Sequence, residues 1–152
     1  MHQMIVDWQT AHRKVAGKEL QLGERLAIGY HFMIAETREK ALQLVAKYYE
    51  ENMKMFGELR LVKALSDEQI EAMRDPKKAK GVKLPSIEDA EASGGFLCGP
   101  PDLIIDRLKT IEKKYPGLDR VNMSMPVGVP LSMWLDQHDR LAKEVMPAFK
   151  GK

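Results

Sequence analysis

Of 152 residues only Cys98 is a cysteine, so an intrachain disulfide is excluded. Histidine is nearly as scarce: His2, His12, His31 and His138 lie on separate segments, and with one cysteine they form no four-ligand zinc pattern. The sequence predicts no metal. No window approaches the roughly 18 consecutive apolar residues that a membrane span needs. The opening Met1 to Trp8 has neither a basic flank nor a long apolar stretch, so cytoplasmic residence is the expectation. Charge of one sign is missing too. A net +2 from 24 basic and 22 acidic side chains gives no field of the kind that binds nucleic acid. Neither an internal repeat nor a low-complexity tract occurs, and Lys77, Lys78, Lys80 and Lys83 read as a solvated loop.

What is present is a succession of strand and helix patterns. Ile5, Trp8, His12 and Val15 fall on one helical face, with Gly17 placed to end that helix in a left-handed cap, so residues 3–16 are predicted helical. Between Arg25 and Ala35, Leu26, Ile28, Tyr30, Phe32 and Ile34 share one parity and Ala27, Gly29, His31, Met33 and Ala35 the other. The bulky set suits the layer under outer helices. The small set suits a barrel interior, where room is left for a ligand or neighbouring side chains. Thr37 can cap the next helix, which carries Ala41, Val45, Tyr48, Tyr49, Met53 and Phe56 at a period near 3.6. Residues 58–93 read as an insertion with two short helices. One is opened by the capping-box-like Ser66-Asp67-Glu68-Gln69, and a polar break runs from Asp75 to Gly81.

The segment Gly94 to Leu108 compresses a short apolar strand, a tight turn at Gly99 and a helix start at Pro101 into one joint, where the missing proline N–H would have had no partner anyway. Asp119 to Met125 is a further strand about one helix later, which implies a parallel crossover. The chain closes on a helix from Met133 to Phe149, with Trp134, His138, Leu141, Val145 and Phe149 on one side.

The Gly99-Pro100-Pro101 helix start, the strand that follows and the ending Glu144-Val145-Met146-Pro147-Ala148-Phe149 resemble the luciferase-like flavin-dependent monooxygenases. Tyr30 to Ala46 is similar to that family's strand leading into a Thr-x-x-x-Ala helix, so the likeness leaves out only about 60–92. Pro100 departs from the family, which has a hydroxyl residue there; Asp102 offsets part of the lost cap by placing negative charge in the first turn. The resemblance implies an α/β fold, a partial TIM (β/α)₈ barrel made of C-terminal βα units only and rich in helix, with residues 1–152 forming part of one domain. A complete barrel takes about 250 residues. It also implies reduced FMN as cofactor, or a deazaflavin in related hydride-transferring enzymes, with O2 and a small organic substrate as reactants.

Three side chains are candidates for the site. His31 stands on the small-residue parity, towards the strand's C-terminal end, where an imidazole can position or protonate a polar ligand; the competing reading is a core histidine bonded to a neighbouring strand. Asn122 and Ser124 share a parity opposite to Val121, Met123 and Met125 and are expected to face the interior, as ligand contacts or as an ordinary polar layer. Gly99 to Pro101 reads as a structural turn rather than a phosphate cradle, because two prolines remove two donors. Asp136 to Asp139 are adjacent helical positions that point in different directions, and nothing near Cys98 would activate its thiol. Four or fewer strands cannot close a barrel. The competing view of function is therefore a non-catalytic truncated barrel, or a subunit completed by another chain or by self-association.

Overall fold

In the computed structural model, which describes residues 2–58 and 65–149, the bulky parity of the first strand is the buried one. Ile28, Tyr30, Phe32 and Ile34 of β1 (Ala27–Ile34) are at most 5% exposed, whereas Ala27 and Gly29 stand open. Towards its C-terminal end β1 is covered on both faces: Met33 and Ala35 are as buried as Phe32 and Ile34, the apolar run expected of a parallel strand packed on two sides.

Helix α1 (His2–Ala16) precedes β1 and ends at Gly17, whose φ of 65° is the anticipated left-handed cap. Helix α2 (Arg38–Glu58) follows β1, with the Thr37 hydroxyl accepting from the Lys40 N–H at 3.1 Å. Ala41, Val45, Tyr48, Tyr49 and Met53 are buried as the periodicity predicts, while the Phe56 side chain lies outside the described residues. Helices α3 (Asp67–Arg74) and α4 (Ile87–Ala92) fall within 58–93 and open on the reciprocal capping boxes Ser66–Gln69 and Ser86–Asp89, with a 3₁₀ turn at Ala79–Gly81 between them. Residues 59–64 of that segment lie outside the description.

Strand β2 (Phe96–Gly99), helix α5 (Pro101–Lys114) and strand β3 (Arg120–Ser124) complete a parallel sheet of order β2-β1-β3. The crossover through α5 is present, but its two strands are not neighbours. It steps over β1, because the long excursion after β1 brings the chain back to one edge of that strand and α5 carries it to the other. Strand β2 pairs with residues His31 to Ile34, and β3 with Ala27 to His31. The result is a helix-rich α/β fold on a small parallel sheet, consistent with part of a barrel.

The closing segment differs from the single helix expected over 133–149. Helix α6 (Leu131–Arg140) passes into a π turn over Leu141–Val145 and a 3₁₀ turn over Met146–Phe149. Pro147 has no N–H and its ring crowds the carbonyl four residues back, so the regular ladder cannot continue. The Met146 N–H reaches Leu141 O instead. The inner face of this segment is also rotated from the expected one: Gln137, Leu141 and Val145 are buried, while Trp134 is 41% exposed. Gln137 points at β1 just beyond the point where β3 ends. Its Oε1 accepts from the Ile34 N–H at 2.6 Å and its Nε2 donates to Ile34 O at 3.1 Å, so a side-chain amide continues the ladder that β3 leaves off.

Candidate functional site

His31 occupies the one register position of β1 that is paired on both sides, opposite Phe96 of β2 and Ser124 of β3. The Ser124 Oγ lies 3.1 Å from His31 Nδ1 and 3.4 Å from Tyr30 O. The hydroxyl donates to Tyr30 O, and between it and Nδ1 the donor and acceptor roles follow the tautomer of the ring. Burial pushes the His31 pKa below its ordinary 6.5, and a hydrogen bond to the Ser124 backbone opposes that shift in part. At neutral pH the ring is therefore an uncharged hydrogen-bonding group. The imidazole is 5.5 Å, centroid to centroid, from the Phe96 ring, the two planes tilted by 36°.

The third candidate stands apart. Asn122 is exposed and lies opposite Gly29, where nothing approaches within 4 Å of the place a Cβ would occupy. Ala27, Gly29 and Asn122 thus give the open half of the sheet a shallow floor beside His31 and Ser124. Asn122 also borders a cavity of about 660 Å³, the larger of the two that bear on the candidate residues, which runs between β3, α5 and the π turn and is walled mainly by Leu108, Tyr115, Val121, Met123 and Val145. The smaller, about 410 Å³, lies at the covered end of the sheet, between β1, α2 and α4, and His31 lines it with Tyr49, Asn52, Met53, Pro85 and Phe96. Asn52 escaped the sequence reading. It sits three residues from Tyr49 on the apolar face of α2, and a polar residue at such a position was the available signal.

The β2-to-α5 joint is structural. Gly99 has φ 140°, and a Cβ there would lie 2.7 Å from Leu103 Cδ2. Pro100 at the N-cap supplies no side-chain bond, and Asp102 stands in the first turn. Behind the joint, buried Glu91 ties α4 to its neighbours: Oε2 accepts from Arg38 Nη2 at 2.6 Å and from Nε at 3.2 Å, and Oε1 lies 3.5 Å from Arg107 Nη2. Cys98 is 2% exposed, and burial pushes its thiol up to about 12, an inert core residue. Among the described residues no three His, Cys, Asp or Glu side chains converge to hold a metal ion. His138 is turned to Trp134 O at 2.8 Å and Asp139 to Lys143 at 2.8 Å, so the Asp136–Asp139 stretch does not gather into a cluster. No described helix is long and apolar enough to cross a membrane.

No protein-family model matches this chain, and no curated protein does either. Among solved structures it is similar to one described as a type II Baeyer–Villiger monooxygenase, the oxygenating constituent of 3,6-diketocamphane monooxygenase from the CAM plasmid of Pseudomonas putida, in complex with FMN. The TM-score is 0.59 at 15% identity, covering 91% of this chain and 37% of that one. The likeness is one of fold. The chain spans little more than a third of the length of that flavin-bound protein.

Proposed function

We propose that this chain is a portion of a luciferase-like, flavin-dependent oxidoreductase, contributing the C-terminal βα units of a TIM barrel with 58–93 as an insertion. The observation that carries the reading is the fold shared with an FMN-bound oxygenating protein across 91% of this chain. The sequence resemblance, drawn from other features, supports the same class. On this reading the reactants are reduced FMN or a deazaflavin, O2 and a small organic substrate.

The residues present fit one part of a flavin and not another. A flat ring is compatible with the shallow floor of Ala27 and Gly29, with His31 and Asn122 at hand as hydrogen-bonding groups. The phosphate finds no cradle at the β2-to-α5 joint, where Pro100 and Pro101 offer no N–H, and Arg38 and Arg107 both face Glu91. That end falls to strands beyond these three. When bound, the flavin supplies the redox chemistry. This chain's part is to hold an uncharged imidazole at His31, positioned beside Ser124, and to shield the adjoining cleft from water with α2 and α4.

Titrating the chain with FMN tests this directly. Quenching of flavin fluorescence, weakened by His31→Ala, is expected. Unchanged fluorescence and unchanged melting temperature at saturating FMN and deazaflavin refute a flavin site on this chain.

A second reading, a subunit completed by another polypeptide, is favoured by one feature: the 660 Å³ apolar groove along the outer side of β3, where a fourth parallel strand and its helix would sit. It predicts self-association or complementation in solution. A clean monomer by light scattering at micromolar concentration, with or without the missing strands supplied in trans, contradicts it.

A further inference from the structure

Four of the eight large hydrophobic side chains that stand exposed among the described residues lie on the closing helical segment: Leu131, Trp134, Leu135 and Met146. Scattered singly, such residues need no explanation, but these are gathered. Leu131 and Leu135, 71% and 55% exposed, are four apart, and so are Ala142, also exposed, and Met146, a spacing that stacks side chains on one face. The π turn, with its wider winding, keeps Leu141 and Val145 on the inner face and Ala142 and Met146 on the outer one. The segment is thus apolar on two faces, a pattern that belongs to a helix covered on both. Leu131, Trp134 and Leu135 line neither of the two cavities, so this outer stripe is a surface apart from the β3 groove, which it meets only at Met146.

One flank of the stripe carries charge of both signs, and the order of those charges selects the partner. Asp136 and Asp139 come first and Lys143 last, with Lys143 Nζ donating to Asp139 Oδ2 at 2.8 Å. A second copy running antiparallel, about a two-fold axis near His138 and Asp139, brings the Lys143 end of each flank against the Asp136 end of the other. An isologous contact makes that pairing twice. The same register sets Leu131 against Met146 and Leu135 against the small Ala142, so bulk meets room. A parallel pairing would instead face Asp136 with Asp136 and Lys143 with Lys143. Trp134 is a preformed anchor beside the stripe: its indole is stacked on the His138 ring at 3.8 Å, and His138 meets Phe32 of β1 at 5.4 Å, which ties this surface to the sheet.

We propose that the outer stripe is the interface of a homodimer in which the closing helical segments of two copies pack antiparallel, Leu135 of each against Ala142 of the other. It rests neither on the oxygenase reading nor on pairing at β3. The contact leaves the outer edge of β3 unpaired in each copy.

Sedimentation equilibrium of the whole chain, without flavin and across micromolar concentrations, should show a reversible dimer. Leu135→Glu puts a charge at an exposed position, leaves the core untouched, and should weaken the dimer at least about tenfold with an unchanged circular dichroism spectrum. Leu131→Lys, of opposite charge, should do the same. Arg120→Glu, in the β3 groove, should leave the dimer as it was. Cysteine variants then read the register. Leu135→Cys combined with Ala142→Cys should give a covalent dimer on mild oxidation, because positions seven apart on one helix are separated by about 10 Å and no disulfide closes within the chain. Buried Cys98 does not compete. Leu135→Cys alone should stay unlinked, since antiparallel packing holds its two copies apart. A monomer at every concentration, a dimer that survives Leu135→Glu, or cross-linking by Leu135→Cys alone overturns the proposal. Loss of the dimer in Arg120→Glu and not in Leu135→Glu overturns it too, and assigns self-association to the β3 groove.

Discussion

Replacing Gln137 by leucine removes a side chain of similar size that acts as a piece of strand. The Gln137 side chain is 4% exposed, and its two hydrogen bonds meet the N–H and the carbonyl of Ile34, itself 1% exposed. In Gln137→Leu the carbonyl keeps a partner, because Arg140 Nη1 donates to it at 3.0 Å. The N–H keeps none. A buried donor left without a partner costs about 1–3 kcal/mol, and the second lost bond adds about 0.5–1.5 kcal/mol, so the variant should be destabilised by about 2–4 kcal/mol. Arg140→Met is the matched control: it removes the other donor to the same carbonyl and an exposed ion pair with Glu144, and it should cost less than about 1 kcal/mol because Gln137 still satisfies both groups. Urea unfolding followed by circular dichroism gives both values, provided the slope with denaturant is unchanged. Amide exchange adds a local readout, since the Ile34 N–H should be protected in the parent and lose protection only in Gln137→Leu. A loss below about 1 kcal/mol with Ile34 still protected would refute the view that this amide extends the sheet.

Titration of His31 by NMR should give a pKa below 6.5, and Ser124→Ala should leave it below 6.5, because the bond that opposes desolvation runs to the Ser124 backbone and not to its hydroxyl. A histidine with a depressed pKa binds fewer protons folded than unfolded, so its contribution to stability is full above pH 6.5 and is lost as pH falls towards the folded-state value. A His31→Gln variant should lack that pH dependence. Gly99→Ala forces a side chain into φ 140° and should cost about 1–3 kcal/mol in thermal or urea unfolding. Adding Leu103→Ala to relieve the 2.7 Å approach should not restore stability, whereas full recovery would make the clash rather than the backbone the cause. Cys98, with its thiol raised to about 12, should react with Ellman's reagent only on unfolding, and fast reaction in the native state at pH 8 would contradict its placement.

Local pattern made much of this legible in the sequence. The two parities of residues 26–34, the Thr37-capped helix and the glycine–proline joint at 99–101 are set by interactions within a few residues, and each stands where the pattern put it. Strand order was not legible, because which edge of β1 receives β2 depends on the return of a distant segment. The closing helix was misjudged for a related reason. Its apolar residues repeat regularly, but Pro147 breaks the ladder and the buried face centres on a glutamine, which hydropathy scores as exposed. Within the candidate site, alternation identified His31 and Ser124 as sharing a face and did not reveal that they touch, nor that Asn122 borders a separate groove. Asn52 shows the same blindness: what makes it matter is the Val127 N–H that its amide oxygen meets, and only the fold brings that distant loop to it.

One strand position carries two duties in this molecule. The flanking strands overlap along the middle one at a single place, residue 31, with β2 running on from it and β3 arriving at it. Slippage on either side is therefore felt first by the imidazole, which would lose either the aromatic neighbour on its left or the hydroxyl on its right. A proton-bearing group mounted on such a seam reports strain from both halves of the sheet, and its nitrogen chemical shifts offer a gauge of how tightly those halves are joined.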